Sequence, residues 1–234
     1  MILATSISSC TLVAVGNTVE EQQNARAAAR RIEAEWPIRS INDPVSRYIQ
    51  SLGQRLGEIA DGRQAIRWTF TVLRDRAPYA FTIGAGHIYL AEGMLTFVHN
   101  EGELAAILAH EIGHQLSRHL STPSESGVRR PLGLATNRSG PAPRQKVGSL
   151  TQIYDLEKEK EADRQAIHIL QRAGYDPNSL LKVLKRLPSG GAYHYYNDAR
   201  RTLALQQELA GFSSHSREDS KDFQTIQKLV RNEQ

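Results

Sequence analysis

The sequence predicts an α+β protein, mostly helical, with a small sheet. Three observations carry this. Apolar residues recur at helical spacing over 42–60 and again over 100–120. Between them, "AIRWTFTVL" (65–73) alternates and is rich in β-branched and aromatic residues, and "YAFTIGAGHIYLAEGM" (79–94) reads as two short strands hinged at Gly84 and Gly86. Beyond a loop at 121–148, helical patterns follow one another toward the end of the chain, without any internal repeat. A length of 234 residues suits one buried core with appendages.

Each element has a local reason. "TVEEQQNARAAARRIEAEW" (18–36) is rich in Ala, Glu and Arg and stops before Pro37, which predicts a helix with a polar surface. In "NDPVSRYIQSLGQRLGEIA" (42–60), Asn42 or Asp43 caps a helix with Pro44 in its first turn, and Val45, Tyr48, Ile49, Leu52, Leu56 and Ile59 form its stripe. From Asn100 to Leu120 the stripe is Leu104, Ile107, Leu108, Ile112 and Leu116. Residues 121–148 hold four prolines and no periodicity, which predicts a long loop over a cleft. A helix over 149–173 ends at Gly174, and further helices follow over 178–187, 197–209 and 217–232, the last of them polar. The expected division is an N-terminal extension (1–40), a main domain (41–211) and a C-terminal polar helix or tail (212–234).

Composition narrows the function. The net charge is +4, with basic residues scattered among acids, so no nucleic-acid partner is expected. The single cysteine, Cys10, excludes an internal disulfide and any Cys-based zinc site. No run reaches the ~18 apolar residues of a membrane span. "MILATSISSC" resembles a bacterial lipobox, in which Cys10 would carry a lipid and attach the protein to a membrane. The alternative is a plain N-terminal extension.

The chemistry concentrates in "LAAILAHEIGHQLSRH" (104–119). Residues four apart on a helix share a face, so His110 and His114 can present two imidazoles to one ion, with Glu111 beside them. This is the H-E-x-x-H pattern of two zinc ligands and a general base. Its apolar flanks argue against a bland histidine pair, whose buried nitrogens would go unsatisfied.

Catalytic zinc takes three protein ligands and keeps one position open. No third histidine follows at short spacing, although His119 is near enough to check. The later helix "DLEKEKEADRQAIHIL" (155–170) offers three glutamates. At 100° per residue, Leu156, Ala162, Asp163, Ala166 and Leu170 fall within about 60° of Glu159, whereas Glu157, Glu161 and His168 lie on the opposite side. Glu159 is therefore the third-ligand candidate. Asp163, one turn on, suits the carboxylate that orients a ligating imidazole, its alternative being an ordinary helix salt bridge.

H-E-x-x-H followed by "EKEAD" (159–163) resembles the zinc metallopeptidases related to HtpX, BepA, LoiP and the Ste-type CAAX prenyl proteases. "YAFTIGAGHIYLAEGML" (79–95) and "AGYDP" (173–177) are also similar to that family's segments, with Tyr79 where Asn is usual. The likeness covers roughly 40–210 and is nearest to compact, envelope-located members. It implies a zincin-like (gluzincin) fold whose sheet edge lines the active-site cleft, and one Zn²⁺ per chain. In "YHYYNDARR" (193–201), His194 and Arg200 keep the family's six-residue His–Arg spacing, although Tyr193 and Tyr195 replace a Thr and a Pro. The resemblance thus offers His194 and Arg200 as catalytic residues. On chemistry alone, His194 is either a donor to a developing oxyanion or a surface histidine.

The expected function is zinc-dependent endopeptidase action on extended or misfolded polypeptides, in protein quality control of the bacterial cell envelope. Protein substrates would pair with the strand containing Gly86, His87, Ile88 and Tyr89. The alternative is a chaperone-like or scaffolding protein with a closed, structural zinc.

Overall fold

A computed structural model describes residues 19–62, 66–117, 119, 155–187, 198–212 and 219–233. Within them the order is α1 (Val19–Glu35), α2 (Pro44–Asp61), β1 (Thr69–Leu73), β2 (Ala80–Gly84), β3 (His87–Ala91), α3 (Glu92–Phe97), α4 (Glu101–Leu116), α5 (Leu156–Ala173), α6 (Asn178–Arg186), α7 (Ala199–Leu209) and α8 (Lys221–Asn232). Cys10, the segment 121–148 and His194 lie outside the described residues.

The capping signals act as their chemistry requires. Asp43 accepts a hydrogen bond from the Val45 N–H at the start of α2, with Pro44 in the first turn. Asn100 accepts from the Glu103 N–H and opens α4. Asp155 accepts from the N–H groups of Glu157 and Lys158 and opens α5, which closes on Gly174 in the left-handed region.

β3 runs through the middle of the sheet, parallel to β1 and antiparallel to β2. Alternation along the strands divides two cores. Ile88 and Leu90 face the main core with Phe70, Val72 and the stripe of α2, while Tyr89 and Ala91 face a second, aromatic layer. There Phe81 stacks on Tyr89 at 5.1 Å, and Ala29 and Ile32 of α1 cover them. The hairpin between β2 and β3 turns at Ala85 and Gly86, both at positive φ, as a two-residue turn matched to strand twist requires.

Three expectations change here. The substrate-pairing strand placed at Gly86, His87, Ile88 and Tyr89 is central, and both its edges already pair along their length. Among the described residues, the strand with an open outer edge beside α4 is instead β2. The chain leaves the strand conformation at Glu92, where α3 begins. And α8 is amphipathic rather than polar throughout: Phe223, Ile226 and Val230 are buried, and it packs on α2 and α3.

The site depends most on α4, which is buried on every side from Leu104 to Gln115. Its largest partner is α5. Gly113 permits the contact, because a Cβ there would stand 2.7 Å from the Ala162 carbonyl oxygen.

Candidate metal centre

Two turns of α4 and the first turns of α5 meet across Gly113, and this crossing assembles the donors. The Nε2 atoms of His110 and His114 lie 3.0 Å apart, with their rings nearly perpendicular. Glu159 reaches them from α5, its Oε2 3.3 Å from the His110 Nε2 and its Oε1 3.6 Å from the His114 Nε2. An ion bound at ~2.0–2.1 Å with tetrahedral angles holds its ligand atoms about 3.3 Å apart. The three residues match that spacing.

The second layer explains their orientation. The Asp163 Oδ1 sits 2.9 Å from the His110 Nδ1. A carboxylate there accepts the Nδ1 proton and leaves the Nε2 lone pair facing the cluster. Asp163 is itself gripped by Arg201 of α7, whose Nε donates to Oδ2 at 2.8 Å and whose Nη2 donates to Oδ1 at 2.7 Å. The remaining Nη1 of Arg201 is 3.0 Å from the Glu159 Oε2. Burial pushes the Asp163 carboxyl upward, but the charge and hydrogen bonds of Arg201, with His110, win and hold it below its usual range.

Charge tests whether a cation fits. Glu159 and Asp163 set two buried carboxylates against the Arg201 guanidinium that grips both, and Glu111 is buried on the adjoining turn of α4. Burial and the Arg201 charge would depress the His110 pKa, yet the hydrogen bonds His110 donates to Asp163 and Glu159 raise it to about 9. His110, His114 and Glu159 could hold a divalent cation, and their nitrogen and carboxylate donors suit one of borderline softness.

The remaining sequence-derived candidates fall as follows. Glu111 is 4% exposed, one residue along α4 from His110. Gln115, next to His114, ties the metal helix to the hairpin: the Gly86 N–H donates to its Oε1, and its Nε2 donates to the Thr82 hydroxyl. His119 turns its Nδ1 toward His114 rather than joining the ligand atoms. Arg200 is 73% exposed at the side chain and folds back on Asp198, which caps α7. The buried guanidinium belongs to Arg201, one position on, and replaces Arg200 as the arginine of this centre. A signal for it existed, since Arg201 shares a helical face with Leu205 and Leu209, the other buried residues of α7.

The profile of Peptidase family M48 matches residues 44–220. The chain is 37% identical over 178 residues to a putative beta-barrel assembly-enhancing protease of Vibrio cholerae, covering 69% of this chain and 36% of the relative. It is 31% identical over 195 residues to the beta-barrel assembly-enhancing protease of Escherichia coli strain K12, covering 74% and 39%. The mitochondrial metalloendopeptidase OMA1 of Schizosaccharomyces pombe is 26% identical over 175 residues, covering 71% and 52%. The chain thus spans between about a third and a half of these relatives' lengths. A match over most of the chain, with its buried His–His–Glu cluster, establishes that this protein belongs to peptidase family M48.

Proposed function

We propose that this protein is a zinc-dependent endopeptidase acting on extended or misfolded polypeptides. The observation that carries this reading is the convergence of His110, His114 and Glu159, with Glu111 on the same turn of α4. Bound by those three residues, one Zn²⁺ would supply Lewis acidity toward a peptide carbonyl and toward water. Glu111 takes the proton of the attacking water and returns it to the amine that leaves. Asp163 and Arg201 hold the His110 ring and the Glu159 carboxylate in place. We assign His194 to the carbonyl oxygen as it gains charge. Substrate would add as a strand to the outer edge of β2, which Gln115 holds against the metal helix.

The relatives named as beta-barrel assembly-enhancing proteases support quality control in the bacterial envelope as the setting. We place the protein there, with Cys10 as its lipid attachment point. Among the described residues no helix is long and apolar enough to cross a membrane. Intact-mass analysis of protein extracted from its native membrane would reveal a diacylglyceryl adduct on Cys10, and an unmodified thiol would refute the anchor.

The decisive experiment pairs zinc analysis with cleavage. Glu111→Gln should bind zinc as wild type does while its cleavage of unfolded casein falls by about 10²–10⁴-fold. Equal cleavage by both proteins would reject the proteolytic reading and favour the scaffolding one.

A further inference from the structure

The two histidines are backed differently. His110 leans directly on a buried carboxylate, Asp163. Behind His114 stands another imidazole: its Nδ1 lies 2.9 Å from the Nδ1 of His119, and the two rings meet edge to face at 5.1 Å. His119 is 9% exposed, just past the end of α4, where its backbone N–H donates to the His114 carbonyl oxygen. Its other nitrogen, Nε2, lies 3.1 Å from the Oε2 of Glu161, whose side chain is 46% exposed on α5.

Proton bookkeeping along this line has one consistent solution for neutral rings. An ionised carboxylate only accepts, so the His119 Nε2 carries the proton that Glu161 receives. The His119 Nδ1 is then a lone pair and accepts from the His114 Nδ1–H. That leaves the His114 Nε2 as a lone pair, aimed at the cluster it forms with His110 and Glu159. We propose that His119 and Glu161 are positioning residues that fix the tautomer and aim of His114 through this two-link chain. Glu161, which periodicity sets on the solvent side, thus acts on the centre without touching it.

The inference rests on the metal reading above, and its test separates the two. Metal-free wild type would be titrated with Zn²⁺ against a competing chelator, beside His119→Leu, His119→Gln and Glu161→Ala. Loss of an outer partner weakens metal affinity by about 10–100-fold. His119→Leu and Glu161→Ala should show that loss, whereas His119→Gln should recover most of it, because its Oε1 can accept the His114 Nδ1–H. Rescue by Gln but not by Leu is something a space-filling role would not produce. Glu161 sits half in solvent, so its variant remains informative if His119→Leu fails to fold. Nitrogen NMR of the metal-free wild type should find His114 neutral with its proton on Nδ1. Wild-type affinity in both His119→Leu and Glu161→Ala, or an Nε2–H tautomer of His114, would overturn the chain and leave the metal reading intact. A wild type that binds no zinc would overturn both.

Discussion

Among the described residues two arginines are buried, and they do different work. Arg39 is 2% exposed and joins Asp43, Glu92 and Glu233, tying the start of α2, the start of α3 and the end of α8. Arg201 is fully buried and joins Asp163 and Glu159 beside two imidazoles. The carboxylates around Arg39 keep 19%, 14% and 46% of their side-chain surface, so water solvates the charge the arginine leaves unmatched. Those around Arg201 keep 3% and 6%. Water reaches these carboxylates poorly, so a proton or a bound cation would offset their charge where solvent does not. Solvent access to the anions separates a structural tie from a metal centre.

The sharpest way to break this comparison is to remove each arginine. Arg201→Met strands Asp163 and Glu159 in the interior and should cost about 3–5 kcal/mol in urea unfolding of the metal-free protein. Arg39→Met should cost only about 1–3 kcal/mol, since its partners can turn to water. Equal losses would show that anion exposure is not what distinguishes the clusters.

Metal addition sharpens it next. Zinc at a hundred times its dissociation constant should stabilise wild type by about 2.7 kcal/mol, and chelation should reverse the gain. The same increment should persist in Arg39→Met and shrink in Arg201→Met. Gly113→Ala should also shrink it, because the added methyl meets the Ala162 carbonyl and must push α5, and Glu159 with it, off α4; a cost of about 1–3 kcal/mol is expected. Calorimetry with and without zinc reads both.

The smallest effect is a pH dependence confined to the Arg39 cluster. Burial raises the Asp43 carboxyl, but the bonds from Arg39 and from the Val45 N–H outweigh it and hold the group below its ordinary range. A depressed acid stabilises the fold above its unfolded value, near 3.8, and that contribution is lost as pH falls through the folded value. The stability gap between wild type and Arg39→Met should therefore be full at pH 6 and narrow below about pH 4. A gap constant to pH 2.5 would remove Asp43 from the account.

Much of this is readable from residue order. The caps Asp43 and Asn100, the turn glycines and the stripe of α2 act through neighbours in the chain, and local chemistry specifies them. Helical phase also distinguishes Glu159, only 5% exposed, from Glu157, which stands in solvent on the same helix. The same reasoning applied to Leu205 and Leu209 selects Arg201, where the six-residue spacing from His194 selects its neighbour Arg200. Strand order lies beyond such rules, because the pattern of 86–91 is equally compatible with an edge or a centre. Only the parallel pairing of β1 with β3 fills that edge.

Periodicity in the primary structure dictated which side chains share a helical face, since a turn of 3.6 residues is a property of the backbone alone. It thereby brought His110 and His114 together and turned Glu159 inward. Which helix would lie against which, and so which carboxylate would back His110, was settled by packing across Gly113, among residues dozens of positions apart. No local rule encodes such contacts, because they exist only once the intervening chain has collapsed into one core.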